Sequence, residues 1–325
     1  MTTLQEAALG IEIGGTKLQT AIVDGDGAVL VRGSDRVDPA GGAEGIRAVL
    51  AGQLDRAVDG AVARGIAIRA AGIGFGGPVD RDRGVVATSF HVGGWGEFPL
   101  ATWVALALGP RLGTLPVLLE NDSNAAALGE ALAGAGRGSR VVVYSNSGSG
   151  IGAGLVIDGR LHRGRAGGEM ELGHVRLARD GGILEETSSG WALDRRVREA
   201  VARDPAGVLG RAAAASGAEP SARLLPAALA AGDATARGIL DEAAGFYAHA
   251  LAHVVQLINP DVIVLGGGVA AIGEPWRESV ARRIEPLLME TFRPGPPVRL
   301  AALGGDVVPV GAALAALATV GSGAA

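Results

Sequence analysis

The chain has no cysteine, which excludes disulfide bridges and any zinc site built on thiolates. It has one lysine, Lys17, and every other formally cationic side chain is arginine. Aromatic residues make up only 3% of it. Neither sign of charge dominates: 29 Lys plus Arg against 34 Asp plus Glu leave a net charge of −5. That balance marks no nucleic-acid or membrane surface. No apolar run reaches the roughly 20 residues that span a bilayer, and the C-terminal run Val307 to Val320 is broken by Pro309 and Gly311. The stretch Met1 to Leu9 carries Glu6, no basic residue and no long apolar core, so it does not read as a secretory leader. A cytoplasmic protein is the expectation.

What is present is a large apolar fraction and much glycine. With 325 residues, 48% of them hydrophobic, the chain has room for about two domains. Glycine accounts for 54 residues, more than twice the usual share of about 7%. It has no three-residue period, which excludes a collagen helix, and it clusters in turns between apolar runs.

These runs define a repeated order. Leu9 to Ile13, the turn Gly14-Gly15-Thr16-Lys17, Leu18 to Val23, the turn Asp24-Gly25-Asp26-Gly27 and Ala28 to Arg32 predict an antiparallel meander. Ala43 to Arg64 shows helical spacing, Ala70 to Phe75 reads as a buried strand ending in Gly76-Gly77-Pro78, and Pro99 to Leu108 reads as a helix with Pro in its first turn. After Pro116 to Leu119 (strand) and a helix from Ser123, the opening pattern returns: Arg140 to Asn146, Ser147-Gly148-Ser149-Gly150, Ile151 to Ile157, Asp158-Gly159, Arg160 to His162. The second half continues with helices from Ser188 to about Ile258, a strand Asp261 to Leu265 before Gly266-Gly267-Gly268, a helix from Pro275, a strand Val298 to Leu303 and a closing helix Pro309 to Val320. Two halves that open alike imply two similar domains.

Three constellations have chemical potential. Glycine turns such as Gly14-Gly15-Thr16-Lys17 and Ser147-Gly148-Ser149-Gly150 let backbone N–H groups approach phosphate oxygens. Neither has Walker spacing or the GxGxxG order; each alone is ordinary hairpin punctuation, but their matching positions favour phosphate binding. The second is Glu120-Asn121-Asp122-Ser123-Asn124, where a strand delivers a carboxylate to a helix start. The dipole there favours an ionised Asp, although Asp, Ser and Asn are also plain N-caps. The third is Gly167-Gly168-Glu169-Met170-Glu171-Leu172-Gly173-His174 with Glu185, groups suited to the hydroxyls of a polyol but equally to a solvated loop. His249 and His253 stand four apart on a predicted helix without the Glu of HExxH, so they read as helix-face or core residues. There is no GxSxG elbow.

With these pieces in place, the chain resembles the ROK family (repressors, open reading frames and kinases) of the actin-like ATPase superfamily. The segment 9–17 resembles the first phosphate motif, Glu120 to Glu130 the catalytic segment, Gly148 to Val156 the second phosphate motif, Glu171-Leu172-Gly173-His174 the sugar-contacting motif and Asn259 to Val269 the adenosine-side segment. The resemblance implies an α/β fold of two actin-like (ribonuclease H-like) ATPase domains around a central cleft. It implies a small domain of 1–119 plus 303–325 and a large one of 120–302. The implied reaction is phosphoryl transfer from Mg-ATP to a sugar hydroxyl, usually the 6-hydroxyl, with Asp122 as general base. Gly77, Asn121, Asp122, Glu171, His174 and Glu185 would bind the sugar. Glu12, Gly14, Gly15, Thr16, Lys17, Gly148, Ser149, Gly150, Gly266, Gly267 and Gly268 would bind ATP with its Mg2+.

Three departures from the family pattern stand out. The Cys run that ties the sugar-binding His to a structural zinc is missing, so no zinc is expected and His174 must be oriented otherwise. Glu12 stands where the family has Asp near the magnesium. No DNA-binding module precedes the first strand, so a repressor and a nucleic-acid partner are not expected. A glucokinase-type hexose kinase, a homodimer by family habit, is the first reading. A kinase for an N-acetylated hexosamine or fructose, or one using polyphosphate, stands beside it, as does a non-catalytic sugar sensor.

Overall fold

The computed structural model describes residues 4–15, 17–89, 92–165 and 169–321. The chain divides into two compact units, one of residues 1–138, 154–169 and 302–325, the other of 139–153 and 170–301.

The first unit opens with the predicted meander β1 (Gln5–Ile13), β2 (Lys17–Asp24) and β3 (Val29–Arg36). The helix α1 (Gly42–Val62) crosses to β4 (Ile66–Phe75), which lies parallel to β1. The short pair β5 (Val79–Asp80) and β6 (Val85–Val86) precedes α2 (Leu100–Leu112). Then β7 (Val117–Asn121) runs parallel to β4 and passes directly into α3 (Asp122–Leu132). The sheet order is β3-β2-β1-β4-β7.

The two faces of this sheet explain much of the composition. Alternate residues of β1 (Ala7, Leu9, Ile11, Ile13) join Ile46, Leu50 and Leu54 of α1 and Leu100 and Val104 of α2 in one core. Ala8 and Ala70, on the opposite face, meet Val310, Ala313 and Leu314 of the C-terminal helix. A methyl group at Gly10 would collide with the Pro309 carbonyl, one at Gly72 with that of Ala312, and one at Gly311 with that of Ala125. Bare backbone at these positions lets helix and sheet approach closely, which accounts for part of the glycine excess.

The second sheet repeats the plan. Its meander is β8 (Val141–Ser147), β9 (Ile151–Ile157) and β10 (Arg160–Leu161), joined by a tight turn in which Asp158 and Gly159 both have positive φ, the two-residue hairpin the Asp-Gly pair predicts. The unit boundary falls within β9. Five helices follow: α4 (Leu184–Ser188), α5 (Gly190–Arg203), α6 (Val208–Ser216), α7 (Leu225–Ala230) and the long α8 (Ala234–Ile258). Next come β11 (Val262–Gly266), α9 (Gly267–Ala270), α10 (Glu274–Ile284), β12 (Val298–Leu300) and α11 (Val307–Gly321). β11 is parallel to both β8 and β12, giving the order β10-β9-β8-β11-β12. Each sheet is thus a three-stranded meander followed by parallel strands, in the same order. The expected pair of actin-like α/β folds is what this topology shows. Among the described residues no helix is long and apolar enough to cross a membrane.

Candidate active site

In the first unit the predicted residues gather at the carboxyl ends of β1, β4 and β7, where α/β sheets place their ligands. Asn121 closes β7 and caps α3, its Oδ1 accepting the Ser123 and Asn124 amides at 2.9 and 3.2 Å. Its Nδ2 donates to the Gly77 carbonyl at 3.3 Å. Asp122 is the first helical residue. Its Oδ1 accepts the Ser123 amide at 2.7 Å and the Ser123 hydroxyl at 3.2 Å. Its Oδ2 faces Gly76, where a methyl group would lie 3.5 Å away. Asn121 is therefore the cap, Asp122 shares the Ser123 amide with it through Oδ1, and Asp122 Oδ2 faces Gly76.

The Gly14 turn lies beside it. Gly14 N–H closes the turn onto the Lys17 carbonyl at 3.0 Å, and Gly76 N–H donates to the Ile13 carbonyl at 3.0 Å. A recess here is lined by Gly14, Gly15, Phe75, Gly76, Ser89 and Trp95. Thr16 lies outside the described residues, as do Gly167 and Gly168 of the third constellation. Lys17 Nζ stands 3.7 Å from Glu12 Oε2, an ion pair too long for a hydrogen bond, and 3.4 Å from the Gly305 carbonyl. Glu12 Oε2 is buried and accepts no hydrogen bond. Burial pushes the Glu12 carboxyl up to about 7, the Lys17 ammonium works against this, and the charge of Asp122 adds to it.

In the second unit Glu185, on α4, ties two predicted segments together. Its Oε2 accepts the Ile151 amide at 2.8 Å, and a methyl group at Gly150 or at Gly173 would press on the same carboxylate. Gly150 of the glycine turn, Gly173 of the segment 171–174 and Glu185 therefore meet. Glu171 and His174 are exposed around a 3-10 turn, Leu172–His174. Gly190 N–H reaches the Gly148 carbonyl at 2.7 Å, which fixes the start of α5 against that turn. The three glycines after β11 differ among themselves. Gly266 and Gly267 are pressed against Tyr144 and the Ser147 backbone, whereas a methyl group at Gly268 would meet nothing within 4 Å. The first two are required by packing, and only Gly268 offers open backbone. Asp261 begins this segment by accepting the Arg140 and Val141 amides, each at 2.8 Å.

The profile of the ROK family matches residues 8–319. This chain belongs to the ROK family. It is 32% identical over 296 residues to the glucokinase of Thermotoga maritima, a match covering 87% of this chain and 90% of that protein. Its structure is similar to that of a ROK family glucokinase from Streptomyces griseus in complex with glucose and AMPPNP, at 32% identity and a TM-score of 0.79, covering 96% and 99% of the two chains. A ROK hexokinase from Thermus thermophilus aligns at 33% identity with a TM-score of 0.76, covering 97% and 99%.

This ROK protein also holds a cluster in which Glu120, Asn124 and Glu169, present in the motifs but given no role there, meet Arg163. Glu120, buried, accepts the Asn121 amide at 3.0 Å and the Asn124 side-chain amide at 3.1 Å on Oε1. Its Oε2 is 2.6 Å from Arg163 and 3.7 Å from Arg81. Glu169, buried too, accepts Asn124 Nδ2 at 2.8 Å and lies 3.5 Å from Arg163. Their charges were visible in sequence, but no local spacing announces that residues 120, 124, 163 and 169 meet. Among the described residues no group of three or more His, Asp or Glu is placed to hold a metal ion.

Proposed function

We propose that this ROK protein is an ATP-dependent hexose kinase of glucokinase type, transferring the γ-phosphoryl group of ATP to the 6-hydroxyl of a hexose. The observation that carries this reading is Asp122. Its carboxylate stands at a helix start with one oxygen held by Ser123 and the other turned to Gly76, beside the Gly14 turn. The similarity to a glucokinase that binds glucose and an ATP analogue supports it.

In this mechanism Asp122 Oδ2 accepts the proton of the 6-hydroxyl as the oxygen attacks the γ-phosphorus. The Ser123 contacts fix Oδ1 and so set the direction in which Oδ2 meets substrate. Because phosphoryl-transfer transition states are loose, placing the hydroxyl in line matters more than base strength. Gly77, Asn121, Glu171, His174 and Glu185 are assigned to the sugar hydroxyls. Gly14, Gly15, Thr16, Lys17, Gly148, Ser149 and Gly150 are assigned to the phosphates, and Gly266, Gly267 and Gly268 to the nucleoside side, where Gly268 is the glycine with open space. Glu185 does double duty, since one of its oxygens already holds the Ile151 amide.

Mg2+ fits the residues present: the buried Glu12 Oε2 has no hydrogen-bond donor, and this ion favours one or two carboxylates with water and phosphate oxygens. When bound it neutralises phosphate charge. Glu12 would hold it, with Lys17 as the neighbouring cation. We assign the two compact units to the two domains of such a kinase, place the enzyme in the cytoplasm and expect a homodimer.

A coupled ADP-release assay with Mg-ATP across a panel of hexoses tests the reading. Sugar-dependent ADP release that is lost in Asp122→Asn supports it. Sugar binding by calorimetry without turnover, with ATP or polyphosphate, would instead make the protein a sugar sensor.

A further inference from the structure

The geometry points to Arg163 as a positioning residue for the proposed base, acting through the two side chains that bracket Asp122. This rests on the kinase reading above. Glu120 precedes the Asn121-Asp122 pair and Asn124 follows it within one helical turn, and both are more than nine-tenths buried. One amide nitrogen, Asn124 Nδ2, donates to Glu120 at 3.1 Å and to Glu169 at 2.8 Å. The Arg163 guanidinium spans the same two carboxylates, at 2.6 Å from Glu120 Oε2 and 3.5 Å from Glu169 Oε1. The segment between β7 and the first turn of α3 is therefore clamped from both sides by one cation and one carboxylate from residues 163–169.

The charge balance gives the clamp its leverage. Glu120 and Glu169 are two buried carboxylates, and Arg163 is the close cation between them; Arg81 reaches only Glu120, and at the longer distance of 3.7 Å. A guanidinium serves two carboxylates because its donors form a rigid fork, which an ammonium lacks. Without Arg163 one buried carboxylate has no adequate counter-charge, and such a group moves toward water or takes a proton. Glu120 is the more consequential of the two, because its Oε1 also holds the amide of Asn121, whose side chain in turn caps α3 and reaches Gly77. A displacement of Glu120 is passed to Asn121 and Asp122 through those bonds.

The test compares Arg163→Gln, Arg163→Lys and the double variant Arg163→Gln/Glu169→Gln, each shown to be folded by circular dichroism. Readouts are kcat, KM for ATP and calorimetric affinity for the hexose that the wild type uses or binds best. Arg163→Gln is expected to lower kcat by about 10- to 100-fold, the cost of misplacing a reacting group by an ångström or so, and to weaken hexose binding, with KM for ATP little changed. Arg163→Lys falls between, because it keeps the charge and loses the fork. The double variant removes the excess buried charge and recovers most of the lost kcat. A residue that merely supported the fold would lower the folded fraction and leave kcat per folded molecule unchanged. Folded Arg163→Gln with wild-type kcat and hexose affinity, or a double variant no better than the single one, overturns the inference. If the wild type binds hexose without turnover, the kinase reading fails and hexose affinity alone decides the role of Arg163. If the wild type neither binds nor turns over any hexose, both are rejected.

Discussion

Replacing Glu130 with glutamine tests whether one carboxylate fastens the end of α3 to the return of the chain at residues 302–303. Glu130 is fully buried. Its Oε2 accepts the amides of Ala135 and Ala302 at 2.7 and 3.1 Å, and its Oε1 accepts that of Leu303 at 2.9 Å. Each bond to a charged acceptor contributes about 1.5–3 kcal/mol. Glutamine keeps a single acceptor oxygen and turns an NH2 group toward at least one of the three donors. It also costs less to bury than a carboxylate, which offsets part of the loss. A net destabilisation of about 2–3 kcal/mol follows, a large fraction of the 5–15 kcal/mol of an ordinary domain. For a chain of 325 residues that lowers the melting temperature by about 3–5 °C. Glu130→Ala loses all three acceptors and leaves a void, and it should fall further. Differential scanning calorimetry of both variants reads the shift. An unfolding temperature for Glu130→Gln within about 1 °C of wild type, small against the shift expected for a loss of this size, would refute this account of the residue.

Three further perturbations have definite expected results. In nucleotide-free, metal-free protein the Glu12 carboxyl is pushed up to about 7 from 4.5, so the folded state binds a proton that the unfolded state has already released. Stability should fall as pH rises between those values, by about 3 kcal/mol at 1.36 kcal/mol per pKa unit; urea titrations at pH 5 and pH 8 should show Glu12→Gln with a flatter profile, and equal slopes would contradict the assignment. Trp95 is buried with edge contacts to Phe75 and Phe98 at ring distances of 5.3 and 5.7 Å, and Arg47 lies over the Phe98 ring at 4.3 Å. Trp95→Ala should cost about 3–5 kcal/mol by chemical denaturation, and less than 1 kcal/mol would mean that the recess wall is supported otherwise. Tyr247, whose hydroxyl lies 2.6 Å from Ser145 Oγ and whose ionisation burial pushes up, should lose about 1 kcal/mol as Tyr247→Phe, because its ring contact with Trp276 at 5.3 Å survives.

The local elements were legible because their signals are local. The Asp158-Gly159 pair, the alternation of β1 through β3 and the apolar stripe of α1 each depend on neighbouring residues, and the structure has them at or within a few positions of the expected bounds. The repeated plan was legible too, since the same run of strand, turn and strand opens each half. What stayed hidden depends on distant segments. Glu130 stood inside the matched segment, but its partners lie 172 and 173 residues away. Gly10 and Gly72 fall inside expected strands and Gly311 inside the expected closing helix, but nothing local shows that α3, α11 and the sheet touch backbone to backbone there. Gly266 and Gly267 stand among the expected ATP-binding residues, and packing against Tyr144 and Ser147 already requires them. The clamp of Arg163 joins four positions that no periodicity links.

The most direct test of the account is the Asp122→Asn variant in the glucose-dependent ADP-release assay with saturating Mg-ATP. The side chain keeps its size and loses the oxygen basicity that accepts the proton. The expected kcat is lower by about 10²- to 10⁴-fold, the usual contribution of a general base, with glucose affinity and melting temperature close to wild type. Turnover by Asp122→Asn within a few-fold of wild type would contradict it.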